Sequence, residues 1–512
     1  MRIGTEASEL QQRLFPLLAP ALLSGLLFVV SIPKFDQYYL AWICLLPLFG
    51  ALNWIPVQSH FVLGLVTGIV WATGRTYWIT ETLQLYGALS LATAVVTNAL
   101  LILYMALYLA CFVAVCRRLN FSSSLFAWSA ASIWVLLEWV QNWLLSGFPW
   151  LLLGDSQYLN LPFLQWATIT GVYGLSFLIV LFTAALAQAL SHRAFIPYLS
   201  LPLLLLVVVH LWGFYRLHDA PDPPPTLKVG VVQGNIPQDR KWKENRLAWT
   251  ARHYAALTRD LAAAEKPALI IYPETALPLY FGDPLYSAYV DSITALAPKL
   301  DTPMLVGSLK GDSQNRTAPV YNRAFLLNTQ GEVVDYADKV HLVPFGEFLP
   351  FPFIFQYLGG LTEESGIFAH GARHKVLRLP RSDISFGVFI CYESIFPEIT
   401  RALMAQDPDL LVNTTNDAWF GTTAAPHQHF AQAVLRAVES GRAVVRAANT
   451  GISGLIEPSG RIAYRTPLFA TVSFAIDVPL HQGQTIYTRW GDWPLLLCAL
   501  ALTIAAARKS PS

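Results

Sequence analysis

The chain has 512 residues, of which 54% are hydrophobic and only 13% are charged, and its formal net charge is +1. Soluble domains average about 25% charged residues, so the composition excludes an ordinary soluble protein. A net charge so close to zero gives no sign of nucleic-acid binding. Apolar residues dominate up to about Phe214 and again over 493–507, and the stretch between has a globular composition. The sequence therefore predicts a membrane protein that carries one soluble domain.

Eight apolar segments are candidates for membrane spans, because a spanning helix needs roughly 20 apolar residues. They are 14–32, 39–55, 60–79, 87–115, 125–145, 163–190, 196–215 and 491–507. The first is not interpreted as a cleavable signal peptide, because it lacks a small-residue cleavage site and further apolar segments follow at once. Glu138 falls within the fifth segment. Charge inside a bilayer is costly, so Glu138 is either a functional residue or a hydrated residue at the end of its span.

Lysine and arginine in the short flanks of these segments predict their orientation, because cytoplasmic loops are enriched in both residues. With a cytoplasmic N-terminus, the inner flanks carry Arg2, Arg13, Arg117, Arg118, Arg193, Arg508 and Lys509. The outer flanks carry Lys34, Arg75, Arg216 and Arg489. Both termini are then cytoplasmic, and the soluble domain, which follows seven spans, lies in the periplasm of a bacterium. The periplasm is oxidising, so an unpaired cysteine in this domain indicates a function.

Four regions follow from this pattern: a seven-span membrane domain over 1–216, a proline-rich linker over 217–225, a soluble domain over 226–485, and a final span with a cytoplasmic tail over 486–512. Short β-rich runs alternate with helical ones in the soluble domain, which predicts an α/β fold with helices on the sheet faces. Strands are predicted at 227–232, 268–272, 303–308, 324–328, 332–335, 384–390, 410–413, 443–448 and 452–457, the last two closing the domain. Helices are predicted at 246–264, 286–297, 396–405 and 428–440.

The segment 348–368 differs from the rest of the soluble domain because aromatic residues alternate there with proline and glycine. It is too broken for a regular helix and too aromatic for an ordinary solvated loop. Two interpretations remain open. The segment is either a loop packed on its own domain or a mobile apolar arm that touches the bilayer surface or covers an acyl chain.

Cys391 is the only cysteine of the soluble domain, since Cys44, Cys111, Cys116 and Cys498 all lie in apolar stretches. It directly follows the predicted strand 384–390, a position that suits a nucleophile, although a lone cysteine is more often a core residue. Two other predicted strands also end in ionisable residues, Glu274 after 268–272 and Lys339 after the 324–335 hairpin. A carboxylate can take the thiol proton, and an ammonium group can stabilise a thiolate and an oxyanion. Glu347 could hold Lys339 in place or assist proton transfer.

These three motifs, in this chain order, resemble the nitrilase superfamily: Pro273-Glu274-Thr275, then the run from Asp338 to Glu347, then Phe389-Ile390-Cys391-Tyr392-Glu393. Fusion to a multi-span membrane domain, with a last span after the soluble domain, resembles the apolipoprotein N-acyltransferases. The resemblance covers nearly the whole chain. It includes the runs 146–150, 232–236 and 413–420, and the three motifs show no departure from the family pattern.

The resemblance implies a four-layer αββα catalytic domain and acyl transfer in two steps. Cys391 would take an acyl group from a phospholipid, expected to be phosphatidylethanolamine, and pass it from the thioester to the N-terminal amine of a diacylglyceryl-cysteine apolipoprotein. This would be the last step of bacterial lipoprotein maturation at the inner membrane. By the same resemblance, Glu274 is the base, Lys339 stabilises the oxyanion, and Glu347 is auxiliary. The residues expected to support the site or the substrate are Tyr392, Glu393, Trp242 and Trp419.

Two other functions remain to be distinguished from acyl transfer. A membrane-tethered amidase or nitrilase would keep the same three residues, but a small soluble substrate would need neither the spans nor the aromatic segment. A non-catalytic scaffold or transporter would not need the three residues, and the spans lack the paired interruptions of a transporter. His427 and His429 form a His-Gln-His pair without a further ligand set of usable spacing. The chain is therefore expected to use no metal or cofactor. It is also expected to act as a monomer.

Overall fold

The computed structural model describes residues 18–87, 89–219, 223–315, 317–348 and 368–507. These residues form two compact units. One comprises the described residues up to 81, with 91–219 and 492–507, and the other comprises 82–90 and 223–491. The first is called the membrane unit below, and the second the soluble unit.

The membrane unit is helical, and each of the eight apolar segments contains helix. The helices of this part of the chain are Leu18–Ser31, Leu46–Ala51, His60–Thr76, Trp78–Tyr86, Leu91–Cys116, Phe126–Gln141, Leu161–Leu164, Ala167–His192, Phe195–His218 and Trp493–Ala507. Three of them are long and apolar enough to cross a bilayer: Leu91–Cys116, Ala167–His192 and Phe195–His218. This composition supports a membrane protein. The expected number of eight spans stays a prediction.

Glu138 is buried in the membrane unit, with 6% of its surface exposed. Its Oε1 accepts hydrogen bonds from Trp134 Nε1 at 2.9 Å and from the backbone N–H of Leu153 at 2.8 Å. The side chain of Glu138 is thus enclosed within the membrane unit, and both interpretations of its role stay open.

Two six-stranded sheets form the centre of the soluble unit. The strands are β1 (Thr226–Gln233), β2 (Leu269–Ile271), β3 (Met304–Lys310), β4 (Tyr321–Leu327), β5 (Val333–Asp338), β6 (Val376–Arg378), β7 (Ser385–Ile390), β8 (Leu410–Thr415), β9 (Val444–Ala448), β10 (Gly454–Ile456), β11 (Ile462–Arg465) and β12 (Val472–Pro479). The first sheet has the order β12-β1-β2-β3-β4-β5, and the second has the order β11-β10-β9-β8-β7-β6. The central pairs β1–β2, β2–β3, β7–β8 and β8–β9 are parallel, and the other pairs are antiparallel.

The strands alternate their side chains between two apolar layers, as the pleat of a strand requires. Val229 and Val231 of β1 pack with Val388 and Ile390 of β7 in a core shared by the two sheets. Val232 faces the opposite way, into a second core against the helices. The helices of the soluble unit are Gln238–Lys241, Leu247–Glu265, Ser287–Thr294, Leu296–Leu300, Pro397–Met404, Ala425–Ser440 and Ile486–Trp490. The predicted four-layer αββα arrangement is confirmed.

The predicted strands and helices of the soluble domain are all present, with shifted ends, but the expected closure of the domain at 452–457 is wrong. Two more strands follow, and β12 returns to pair along the whole length of β1. An exposed edge strand needs no continuous apolar run, and β12 is mostly half-buried, so its pattern is weak in sequence. The predicted helix 286–297 is also divided, into Ser287–Thr294 and Leu296–Leu300.

A glycine in β3 allows the turn after β2 to pack against it. A Cβ added at Gly307 would lie 2.0 Å from the backbone oxygen of Pro273 and 2.9 Å from Cα of Glu274. We expect Gly307→Ala to destabilise the protein by about 1–3 kcal/mol through overpacking, seen as a lower midpoint of thermal unfolding. The matched control is Gly387→Ala in β7, where the nearest atom is the movable Cδ2 of Leu411, at 2.8 Å. A larger loss in the control would contradict the packing argument.

Candidate active site

The three residues singled out in sequence follow three different strands and come together. Glu274 lies in the turn after β2, Lys339 directly follows β5, and Cys391 directly follows β7. Lys339 Nζ lies 3.2 Å from Glu274 Oε1, and the charges of both side chains act on the Cys391 thiol. All three are buried, with 5%, 1% and 7% of their surface exposed for Glu274, Lys339 and Cys391. The soluble unit therefore encloses a carboxylate, an amine and a thiol in one place.

Cys391 has a left-handed backbone, with φ of 56°, at the start of the short 3-10 helix Cys391–Ile395. This conformation is uncommon outside glycine and requires support from its surroundings. The Glu393 carboxylate supplies part of that support, because it accepts the N–H of Ile390 at 2.7 Å. Its other oxygen accepts the N–H groups of Val340 at 2.7 Å and His341 at 3.0 Å. Glu393 thus joins the turn that bears the thiol to the loop that follows Lys339.

Lys339 is shared between two carboxylates. Its Nζ lies 2.7 Å from Glu347 Oε1 as well as 3.2 Å from Glu274 Oε1. The second oxygen of Glu347 accepts the N–H of Val343 at 2.8 Å, which fixes this carboxylate. Asn322 of β4 donates from Nδ2 to Glu274 Oε1 at 2.7 Å. The remaining oxygen, Oε2 of Glu274, accepts the N–H of Asn416 at 2.9 Å, so the Glu274 carboxylate is held from several sides.

The protonation states of these groups follow from their surroundings. Burial raises the pKa of the Cys391 thiol to about 12, and Glu274 adds to this increase while Lys339 opposes it. Burial also acts to raise the pKa of Glu274, but Lys339 and Lys241 outweigh it and lower that pKa. For Lys339, burial acts to lower the pKa, but the carboxylates beside it raise it well above its usual range. At neutral pH the resting site therefore holds a carboxylate, an ammonium group and a protonated thiol.

A second buried network lies behind the cysteine. Asp417 pairs with Arg446 through Oδ2 at 2.9 Å and with His429 Nδ1 through Oδ1 at 2.9 Å. The other ring nitrogen of His429 lies 2.8 Å from Ser394 Oγ and 3.1 Å from the backbone oxygen of Cys391. Burial acts to raise the pKa of Asp417, but Arg446 and His429 hold it well below its usual range. Burial and Arg446 lower the pKa of His429, so its ring is neutral. This network supports the left-handed cysteine from its carbonyl side.

We expect Asp417→Asn to destabilise the protein by about 3–5 kcal/mol, because it leaves the buried charge of Arg446 without its carboxylate. The measurement is the midpoint of thermal unfolding of the purified protein. The matched control is Asp383→Asn, since Asp383 pairs with Arg378 on the surface, where both side chains are exposed. Exposed pairs contribute little, so the control should leave the midpoint unchanged. Equal effects of the two substitutions would contradict the assignment of Asp417 as the buried partner.

The expected supporting residues differ in their surroundings. Tyr392 is buried, and its ring packs on His341 and Phe396, with ring centroids 5.8 and 5.1 Å away. Trp242 and Trp419 are partly exposed, at 46% and 37%.

Residues 82–90 belong to the soluble unit and contact the Trp419 loop. The ring of Tyr86 meets that of Trp419 edge to face at 5.3 Å, and Thr82 Oγ1 donates to the Trp419 carbonyl at 2.9 Å.

The two histidines and the aromatic segment are only partly accounted for. His429 belongs to the buried network above. His427 lies two residues earlier on the same helix, Ala425–Ser440, and is partly exposed. Within the described ranges no group of three His, Cys, Asp or Glu side chains is placed to hold a metal ion.

Residues 349–367 of the aromatic segment lie outside the described residues. Its flanking residues meet at Glu347, whose backbone oxygen accepts the N–H of Phe368 at 3.0 Å.

Sequence reasoning missed several residues of this site. Asn322 and Asn416 bind the Glu274 carboxylate, and Lys241 donates to the backbone oxygen of Glu274 at 3.2 Å. Asn416 lies in a run that carried the family resemblance, but nothing in its spacing pointed to Glu274. Lys241 precedes Trp242 in sequence, and a lysine beside an expected site residue was the one signal that could have identified it.

Two family models match the chain. The one described as Apolipoprotein N-acyltransferase N-terminal domain matches residues 24–185, and the one described as Carbon-nitrogen hydrolase matches residues 228–484. The second match supports a nitrilase-like fold for the soluble unit. The solved structure of Saccharomyces cerevisiae Nit3, a member of branch 10 of the nitrilase superfamily, covers 54% of this chain and 97% of its own, at 18% identity and a TM-score of 0.39.

Curated relatives match almost the full length. An apolipoprotein N-acyltransferase of Geobacter metallireducens is 39% identical over 494 residues, covering 95% of this chain and 94% of that protein. The apolipoprotein N-acyltransferase of Pseudomonas syringae pv. tomato is 32% identical over 505 residues, covering 96% and 97%. Since such relatives span the membrane unit and the soluble unit alike, the chain belongs to the apolipoprotein N-acyltransferase family.

Proposed function

We propose that this enzyme transfers an acyl chain from a phospholipid to the N-terminal amine of a diacylglyceryl-cysteine lipoprotein through a thioester on Cys391. Membership of the acyltransferase family supports the overall reaction. One observation supports the covalent route: a buried thiol lies where the charges of Glu274 and Lys339 both act on it, and Lys339 Nζ lies 3.2 Å from Glu274 Oε1. A nucleophile, a base and a cation in one buried site are the groups that acyl transfer needs.

In the first half of the reaction, Cys391 Sγ attacks the ester carbonyl of the phospholipid. The thiol is protonated at rest, so its proton passes to Glu274 as the S–C bond forms. Lys339 faces the negative charge that develops on the carbonyl oxygen. When the C–O bond breaks, Glu274 returns the proton to the leaving alkoxide, which departs as a lysophospholipid. The enzyme then holds the acyl group as a thioester.

In the second half, the free amine of the lipoprotein attacks the thioester carbonyl. Glu274 accepts a proton from the attacking nitrogen, the C–S bond breaks, and the thiolate regains a proton to restore Cys391. A thioester exposed to water would hydrolyse, so this sequence needs a shielded site. The burial of Cys391, with 7% of its surface exposed, and of Lys339, with 1%, supports this requirement.

We propose the eight predicted segments as membrane spans, with both termini cytoplasmic and the catalytic domain, over 226–485, in the periplasm next to the inner membrane. The presence of helix in each segment and the excess of lysine and arginine in the inner flanks support this topology. Phosphatidylethanolamine is the donor that we propose, and the enzyme acts as a monomer. Both substrates carry lipid chains, which accounts for the attachment of a nitrilase-like domain to a membrane.

The test is to incubate the purified protein with phosphatidylethanolamine and to measure the intact mass of the protein, with the modified residue located by peptide mapping. We expect one acyl adduct on Cys391 that disappears when a diacylated lipopeptide with a free N-terminus is added. The matched control is the same lipopeptide with an acetylated N-terminus, which should leave the adduct in place. Loss of the adduct to water at the same rate with or without peptide would instead indicate a membrane-tethered hydrolase.

A further inference from the structure

A second lysine, Lys241, lies at this site. It directly precedes Trp242, the one residue of this part of the chain that was expected to support the site. Lys241 ends the short helix Gln238–Lys241 and is 1% exposed. Its Nζ donates to Thr275 Oγ1 at 2.6 Å and to the backbone oxygen of Glu274 at 3.2 Å. A buried lysine loses its hydration and is retained only where something compensates it. Lys241 is thus built into the turn that carries Glu274.

The charges of the neighbouring side chains explain why a second cation is useful at this site. Lys339 is in contact with both Glu274 and Glu347, so these three side chains together carry a formal charge of −1. The reaction adds further negative charge, first on sulfur and then on the carbonyl oxygen. Concentrating negative charge in a buried site is costly because the local dielectric constant is low. A second cation offsets part of this negative charge before the reaction begins.

The turn bound by Lys241 is itself in an uncommon conformation. Thr275 has a positive φ of 44°, which a β-branched residue rarely adopts. Lys241 holds both residues of this turn, one through the backbone oxygen and the other through the hydroxyl. The same contacts therefore fix the position of the Glu274 carboxylate relative to Cys391.

We propose that Lys241 is a positioning residue for acyl transfer, a second buried cation that fixes the Glu274–Thr275 turn and balances the negative charge of the reacting site. This inference rests on the proposed thioester route. Lys241 acts through Glu274 and through the field at Cys391, and it is not assigned a contact with either substrate.

The charge of Lys241 also predicts a pH dependence. Burial lowers the pKa of Lys241 to about 8, although the negative charges of Glu274 and Cys391 act to raise it. Lys339 is the other cation that acts on the Glu274 carboxylate. A lysine with a lowered pKa is charged below that value and neutral above it. Acyl adduct formation should therefore slow as the pH rises through about 8. The first half-reaction isolates this effect, because the amine of the acceptor lipopeptide is absent.

The decisive variant is Lys241→Met, which keeps most of the length of the side chain and removes its charge and donors. We expect adduct formation from phosphatidylethanolamine to slow by about 100-fold, with no step in the pH profile near 8. Thr275→Val removes one partner but keeps the charge, so it should slow the reaction less and retain the step. The control Lys243→Met removes an exposed lysine two residues away and should leave the rate unchanged.

The pH profile of each variant separates this role from a structural one. Lys241→Met leaves the Glu274–Thr275 turn without its buried donor, so it should also melt at a lower temperature, but a loss of stability alone would not remove the pH step. A Lys241→Met enzyme that acylates at the wild-type rate, or that keeps the wild-type pH step, would overturn the inference while the thioester route stands. Absence of any adduct on Cys391 in the wild type would instead remove the proposed function itself.

Discussion

Cys391→Ala and Cys391→Ser are both expected to abolish acyl adduct formation and transfer, a loss of about 10⁴-fold or more. Alanine has no nucleophile. Serine keeps nearly the same size and hydrogen-bonding positions, so its failure would reflect chemistry and not folding. A hydroxyl is much harder to deprotonate than a thiol, and Lys339 and Lys241 lower the pKa of the Glu274 carboxylate that must take the proton. The base at this site therefore suits a sulfur nucleophile and is too weak for an oxygen one.

The left-handed backbone at Cys391 makes the serine variant a fair comparison. The φ of 56° is as demanding for serine as for cysteine, and Glu393 supports the turn through a backbone N–H that the substitution leaves in place. The melting temperature should stay close to that of the wild type. Cys111→Ser, which changes an exposed cysteine of the membrane unit, serves as the control and should react normally. An acyl adduct on any residue of Cys391→Ala would refute the assignment of the nucleophile.

The residues at strand ends could be predicted because each followed a recognisable local pattern. Cys391 and Glu274 come after short apolar runs, and such runs form buried strands whichever partners they pair with. The alternation of these runs with helical segments predicted an α/β fold, and the four-layer arrangement followed from the family resemblance. None of these predictions depended on knowing which strands are neighbours.

The residues of the site that were not predicted reach it through strand pairings that no local sequence pattern reveals. Asn322 faces Glu274 because β4 pairs with β3, and β3 lies beside β2. Asn416 reaches Glu274 from the end of β8, in the other sheet. Long-range contacts of this kind are set by the tertiary fold and not by propensity. The edge strand β12 was missed for a different reason: it is mostly half-buried and so has no continuous apolar run.

Two buried charge networks lie on different sides of Cys391, one at its thiol and the other at its backbone oxygen. On the thiol side, Glu274 and Lys339 provide the proton acceptor and the cation. On the carbonyl side, His429 contacts the backbone oxygen of Cys391 and is held by Asp417, whose charge also adds to the raised pKa of the thiol. Variants of the first network should therefore change the rate more than the melting temperature, and variants of the second should do the reverse.

Glu274→Gln is expected to slow acyl adduct formation by about 10²–10⁴-fold, the usual contribution of a general base. Glutamine has nearly the shape of glutamate but only one acceptor oxygen, so it can accept either from Asn416, which binds Oε2, or from Lys339, which binds Oε1, and it cannot take the thiol proton. Because the pKa of Glu274 lies below its ordinary value, the wild-type base stays ionised through the neutral range. The variant should then be slower than the wild type by the same factor at pH 6 and pH 7, and mild alkali should not restore its rate, because a thiol pKa of about 12 keeps the thiol protonated.

The control for this prediction is Glu265→Gln, which makes the same change at an exposed carboxylate that pairs with Lys228. It should form the adduct at the wild-type rate. Lys339 keeps Glu347 as a partner at 2.7 Å in Glu274→Gln, so the variant should retain the ammonium group in its place. A slow Glu274→Gln enzyme with an intact fold would then reflect a change at the base and not the loss of the Lys339 cation. Adduct formation at the wild-type rate would exclude Glu274 as the proton acceptor and leave Glu347 as the carboxylate in contact with Lys339 to be tested in that role.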